Sequence, residues 1–146
     1  MFKNILTKAL ILSSILILSS CSKSDVVIDP NEIVGTWEIY DIRSDYPFDW
    51  DGDGWEETDI FGNYSFCQQD IVLVFDYDGY GQSRQGCNAP WQSMYWQLGN
   101  GRLLISLPGD DLDLNIVQYS AGTIRGQDMV YINGQNFVIT YTLVRR

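Results

Sequence analysis

Histidine is missing from this chain and cations are scarce, with nine lysines and arginines against nineteen aspartates and glutamates. Without imidazole, the Ser/His/Asp and Cys/His nucleophile systems and histidine-ligated zinc are excluded. No other nucleophile constellation is recognisable, so the expectation is a protein that is not an enzyme. Few cations argue against a nucleic-acid partner, because phosphate neutralisation requires lysine and arginine. Three cysteines are too few for a thiolate metal site, and nothing in the residue pattern implies an organic cofactor. Apolar runs reach only about half of the ~20 residues that a helix needs to cross a bilayer. Beyond the first twenty residues no segment sustains a helical period.

What is present begins with a three-part leader. Lys3 and Lys8 carry positive charge, Ala9 to Leu18 form a nearly unbroken apolar stretch, and Ser19 and Ser20 precede Cys21. This is a secretory signal pattern. Leu18-Ser19-Ser20-Cys21 is similar to a lipobox, in which small side chains give access to a thiol that becomes a thioether to diacylglycerol. Residues 1–20 are therefore expected to be removed as a lipoprotein signal peptide and Cys21 to be lipidated. The acyl chains would hold the protein to the membrane surface, each buried CH₂ contributing ~0.8 kcal/mol. A transmembrane anchor is the competing reading, and the stretch is too short for it. Lys23-Ser24-Asp25 weakly resembles signals for outer-surface export, so the expected address is the outer membrane, on its periplasmic or cell-surface face. With Lys3 and Lys8 gone, seven of the nine basic residues face nineteen acids, a net charge of −12.

Residues 21–32 are polar and aperiodic, as suits a flexible tether, and 33–146 have the length of one domain burying about two-thirds of its unfolded surface. Alternation marks half-buried strands, as where Leu112, Leu114 and Ile116 interleave with Asp111, Asp113 and Asn115. Asp78-Gly79, Asn100-Gly101 and Asn133-Gly134 fall between strand-like runs and tolerate the positive φ of tight hairpins. The pattern predicts strands at 34–42, 70–77, 80–86, 93–99, 102–107, 112–119, 128–132 and 135–145, with one helical turn at 30–33. The expected fold is all-β, an eight-stranded antiparallel up-and-down barrel whose closure removes exposed edges; a β-sandwich is the alternative. Residues 43–69 form one long connection, rich in acids and aromatics.

Ile33-Val34-Gly35-Thr36-Trp37 resembles the G-x-W signature of the lipocalin superfamily. The strand running from Asp70 into Asp78-Gly79, and the closing Ile139 to Arg145, look like the small bacterial lipocalin-like lipoproteins. The resemblance covers the whole domain. It implies that Gly35 and Trp37 close one end of the barrel with Arg145 packed across the indole, and parity allows this, since Phe137, Ile139, Tyr141, Leu143 and Arg145 share one side of the last strand. It also implies a pocket at the other end for a small hydrophobic or amphipathic molecule, with the long connection folded over the mouth, so the expected function is noncatalytic binding or sequestration of such a ligand at the cell envelope.

Two further sites are read from the residues. Asp49, Asp51 and Asp53 with Gly54 resemble the D-x-D-x-D-G calcium loops, in which alternate carboxylates converge on Ca²⁺ and a backbone carbonyl, here that of Trp55, follows. Glu57 and Asp59 complete the candidate set, although the bidentate acid of an EF-hand would fall at Ile60; a merely solvated acidic turn is the alternative. A calcium-stabilised module for protein or glycan partners, without an open pocket, is accordingly the second functional expectation. Cys67 and Cys87 are an even pair in an oxidising compartment, where a disulfide is expected and free thiols are the alternative. A tight turn at Asp78-Gly79 sets Cys87 opposite Asp70 and Cys67 opposite Pro90, a gap that slack before Gln69 must close. The adjacent acids Asp110 and Asp111, after Pro108-Gly109, are expected in a solvated turn.

Overall fold

The computed structural model describes residues 26–146, so the leader, Cys21 and the first residues of the tether lie outside the described residues. A helical turn α1 (Pro30–Ile33) precedes the first strand; Asp29 caps it by accepting from the Asn31 amide, and Pro30 stands where a missing N–H costs nothing. The strands are β1 (Gly35–Phe48), β2 (Glu57–Asp59), β3 (Ile71–Phe75), β4 (Tyr80–Gln85), β5 (Gln92–Gly99), β6 (Arg102–Leu107), β7 (Asp110–Ser120), β8 (Thr123–Ile132) and β9 (Gln135–Arg145), with a turn α2 (Phe66–Gln69) before β3.

From β3 onward every strand pairs antiparallel with its successor. β1 lies between β3 and β9, with Trp37 opposite Leu73 on one edge and Arg145 on the other. Eight strands thereby close into an up-and-down barrel, and the sandwich alternative is excluded. The expected hairpin residues turn the chain, with positive φ at Asn100 and Gly101 and at Asn133 and Gly134.

Three boundaries differ from the sequence reading. The segment 43–69 is not a single loop. A bulge between Ile39 and Asp41 shifts the inward parity of β1 by one residue, so that Ile42 and Ser44 are buried and the strand runs on to Phe48, whose ring lies 4.5 Å from that of Phe137. β2 then extends the edge of β1 beyond β3, with Arg43 opposite Asp59. Secondly, β8 begins at Thr123 rather than 128, after a turn at Ala121-Gly122. Its polar stretch Arg125 to Asp128 disguises a strand whose inward Gly126 sits against Leu114, where a Cβ would come within 2.7 Å of the leucine Cβ. Thirdly, the β3–β4 connection is a three-residue turn, Tyr77–Gly79, closed by the Asp76 amide donating to Tyr80 O at 2.9 Å. Its extra residue moves the register by one, so that Ile71 faces Gln85.

The barrel interior is divided. At the end where the chain enters, Trp37, Phe75, Leu73, Met94, Leu103, Ile105, Leu114, Ile124 and Leu143 are fully buried and fill the space. Trp96 meets Phe75 edge-on at 5.4 Å, and its indole N–H donates to the carbonyls of Asp76 and Tyr80 at 3.0 and 2.8 Å. The other end is lined by aliphatic side chains together with Phe48, Trp50, Tyr64 and Tyr141, and there the barrel is hollow.

Candidate functional site

The closed end is assembled around Trp37. Its indole N–H donates to Ile33 O at 2.7 Å. The Arg145 guanidinium lies over the ring, 4.4 Å from its centroid, and reaches back to the start of the domain: Nη1 donates to Val34 O at 2.9 Å, Nε to Ala121 O at 3.2 Å, and Nη2 to Glu32 O. A Cβ on Gly35 would fall 2.6 Å from Arg145 Nη1, and the residue has φ +133°, so only glycine leaves room for the arginine. Gly35, Trp37 and Arg145 thus form one plug joining the ends of β1 and β9 to α1.

At the open end a cavity of ≈ 290 Å³ occupies the barrel mouth. Ile39, Ile42, Ile71, Leu112, Val130, Ile132 and Ile139 give it apolar walls, and Trp50, Ile60 and Tyr64 from the β1–β3 connection roof it. The roof is pinned by aromatic packing, Tyr64 lying 5.6 Å from Trp50 and 5.9 Å from Phe61 between ring centroids. The Gln69 side-chain amide ties the same segment down by donating to the carbonyls of Phe61 and Tyr64. Four polar side chains reach the cavity: Tyr64, Tyr141, Gln85 and Asp110. Burial pushes the Tyr141 phenol well above the ordinary tyrosine range, with Asp128, Tyr64 and Asp110 adding to the effect. Burial raises Tyr64 as well, so both phenols keep their protons and remain hydrogen-bond donors.

A larger hollow, ≈ 740 Å³, lies on the outer face of β4 to β7 beside Tyr80, Tyr95, Leu104 and Asp113. It is a solvent-washed surface, and its size does not make it the better site, because a ligand there would stay largely hydrated.

The acidic segment folds on itself. Asp49 accepts from the amides of Gly52 and Gly54 at 2.7 and 3.0 Å, Asp51 from Asp53 at 3.1 Å, and Asp53 from Trp55 at 2.8 Å. One carboxylate oxygen from each of Asp49, Asp51 and Asp53 lies within 4.8 Å of the others, all three residues being exposed. Glu57 stands close enough to feel them: desolvation first, then Asp51 and Asp53, hold its carboxyl above the usual range against a hydrogen bond from Asn63. Asp59 is turned elsewhere, to Arg43 at 3.3 Å and to the Gly62 amide at 2.9 Å. Among the nearby aromatics, Phe48 is buried and Trp50 covers the cavity, whereas Tyr46 and Trp55 project into solvent.

Cys67 and Cys87 are bonded, with Cα atoms 4.8 Å apart. The slack that closes the gap is α2, whose Ser65 and Gln68 form a reciprocal capping box. Arg84 on β4 pins the start of β3 beside this bridge, donating to both Asp70 oxygens under the ring of Trp91. Asp110 and Asp111 are not in a turn but open β7, on opposite faces: Asp110 reaches the cavity, and Asp111 accepts from the Ser106 hydroxyl at 2.6 Å on the outside.

Sequence reasoning missed Tyr64, Gln85 and Asp110 as cavity residues. Tyr141 was legible by parity with Arg145. The other signals needed the true start of β7 and the return of the long connection over the mouth. Compared with protein-family models, curated proteins and solved structures, the chain matches none.

Proposed function

We propose that this chain is a lipocalin-like, noncatalytic carrier that binds one small apolar or amphipathic molecule in the mouth of its barrel, held at the cell envelope by lipid on Cys21. The observation that carries this reading is the divided interior. An eight-stranded barrel can be filled by its own side chains or enclose one ligand; here Trp37, Phe75 and the aliphatic side chains packed with them fill one half and leave ≈ 290 Å³ with largely aliphatic walls in the other. That volume lies just below the ~300–1,000 Å³ typical of ligand sites, which suits a small molecule. The membrane part of the reading rests on the leader from Lys3 to Cys21 and on the acyl-chain energetics above.

Titrating the full-length protein with decan-1-ol while following tryptophan fluorescence tests it, since Trp50 roofs the cavity. Saturable binding is expected, and Val130→Trp, which fills the space from β8, should weaken it at least tenfold while leaving the far-ultraviolet circular dichroism intact. Equal binding by the variant would place the ligand elsewhere and remove the reading.

A second reading, a calcium-stabilised interaction module, is favoured by the clustering of the Asp49, Asp51 and Asp53 oxygens. It calls for calorimetric binding of Ca²⁺ that Asp51→Ala abolishes; absence of heat at millimolar calcium would end it.

A further inference from the structure

Charge around the mouth is one-sided. Every cation among residues 26–146 is an arginine, at positions 43, 84, 102, 125, 145 and 146, and none of them lines the cavity. The acids, by contrast, gather there. Asp110 reaches the cavity from β7. Asp128 lies on the inward parity of β8, between Gly126 and Val130 and opposite the cavity residue Ile139, and it is near enough to bear on the Tyr141 phenol. The arginine ion pairs engage other acids, Asp41, Asp59, Asp70, Asp113 and Glu38. The roof that carries Trp50 also carries Asp49, Asp51, Asp53, Glu56 and Glu57.

An apolar chamber with the exposed Asp110 at its rim, half-buried Asp128 nearby and no arginine among its lining residues disfavours an anionic head, because a negative charge brought into the mouth meets repulsion without a counter-charge. A cationic head meets the Asp110 carboxylate and the oxygens of Tyr64, Tyr141 and Gln85, with Asp128 close behind Tyr141, and the acidic rim raises its local concentration. From this arrangement we propose that the cavity takes an apolar body carrying a cationic head, such as an alkylammonium, and rejects carboxylates of the same body.

This rests on the carrier reading of the same cavity, so its test must separate the two. Calorimetry of the full-length protein with decylamine, decan-1-ol and decanoate at neutral pH does so. The expected order is decylamine, then decan-1-ol, then decanoate, with at least tenfold between the first and last. In Asp110→Asn and Asp128→Asn that ratio should shrink severalfold, while decan-1-ol binding, which needs no charge, changes little. A ratio below tenfold, or one that neither asparagine variant alters, overturns the charge selection and leaves the carrier reading standing if decan-1-ol binds. Failure of all three to bind overturns the carrier reading itself.

Discussion

Arg145 serves three carbonyls and one indole ring with a single planar group, a combination that the point charge of lysine does not reproduce. Arg145→Lys should therefore lower stability by ~1–2 kcal/mol, the range of a stacked cation and the hydrogen bonds lost with it, kept modest because the guanidinium is partly hydrated. Gly35→Ala should act in the same direction through the collision with Nη1 and the positive φ. The two changes share one contact, so thermal melts of the double variant should show less than the sum of the single losses. Additive losses would mean that glycine and arginine act separately. The candidate plug residues were named through the resemblance of Gly35-Thr36-Trp37 to the lipocalin signature, with strand parity allowing Arg145 to reach the same side. The carbonyls that Arg145 bonds were not readable, since they belong to residues 24 to 113 positions away in the chain.

The element that most departs from expectation is the connection between β1 and β3. Composition suggested a long loop, whereas a bulge, the short strand β2 and the turn α2 break it into pieces that are each hydrogen-bonded. Its anchor is the disulfide, which closes a separation of 20 residues. Restricting the unfolded chain over such a loop is worth about 3 kcal/mol. Replacing both cysteines by serine should lower the denaturation free energy by about that amount in urea titrations. It should also loosen the roof, read as faster amide exchange from Ile60 to Gln69 than in β7 to β9. Uniform loosening of the barrel would show that the bridge supports the whole fold instead. The pairing of Cys67 with Cys87 was expected from compartment and parity of number; the turn that brings them together depends on Ser65 and Gln68 capping each other, a pattern the sequence reading had treated as slack.

For the molecule as a whole, the excess of acid bears on stability at Glu57, where it adds to desolvation. Its folded pKa is raised by desolvation and by Asp51 and Asp53, so the folded state holds that proton more tightly than the unfolded chain. The associated stability is fully present below the ordinary value of ~4.3 and is lost as pH rises through the raised folded value. Glu57→Gln removes the titration: its melting temperature should rise relative to the parent across that window and level off above it. The difference should shrink in high salt, which screens the exposed acids. A variant that melts in parallel with the parent at all pH values would show that the acidic segment does not strain the fold. The sequence by itself determined the strand-rich fold class, the succession of antiparallel hairpins and the excess of acid, because these follow from alternation, turn chemistry and composition, which are local or additive; the tryptophan-arginine pairing came from the lipocalin resemblance, and barrel rather than sandwich closure from the pairing of β1 with β9. Only the tertiary structure decided that β1 shifts face at a bulge, that β8 starts five residues early beside Leu114, and that one half of the barrel is filled while the other is hollow. Those outcomes depend on which side chains meet across strands distant in sequence, and neither register nor volume is carried by any single segment of the chain.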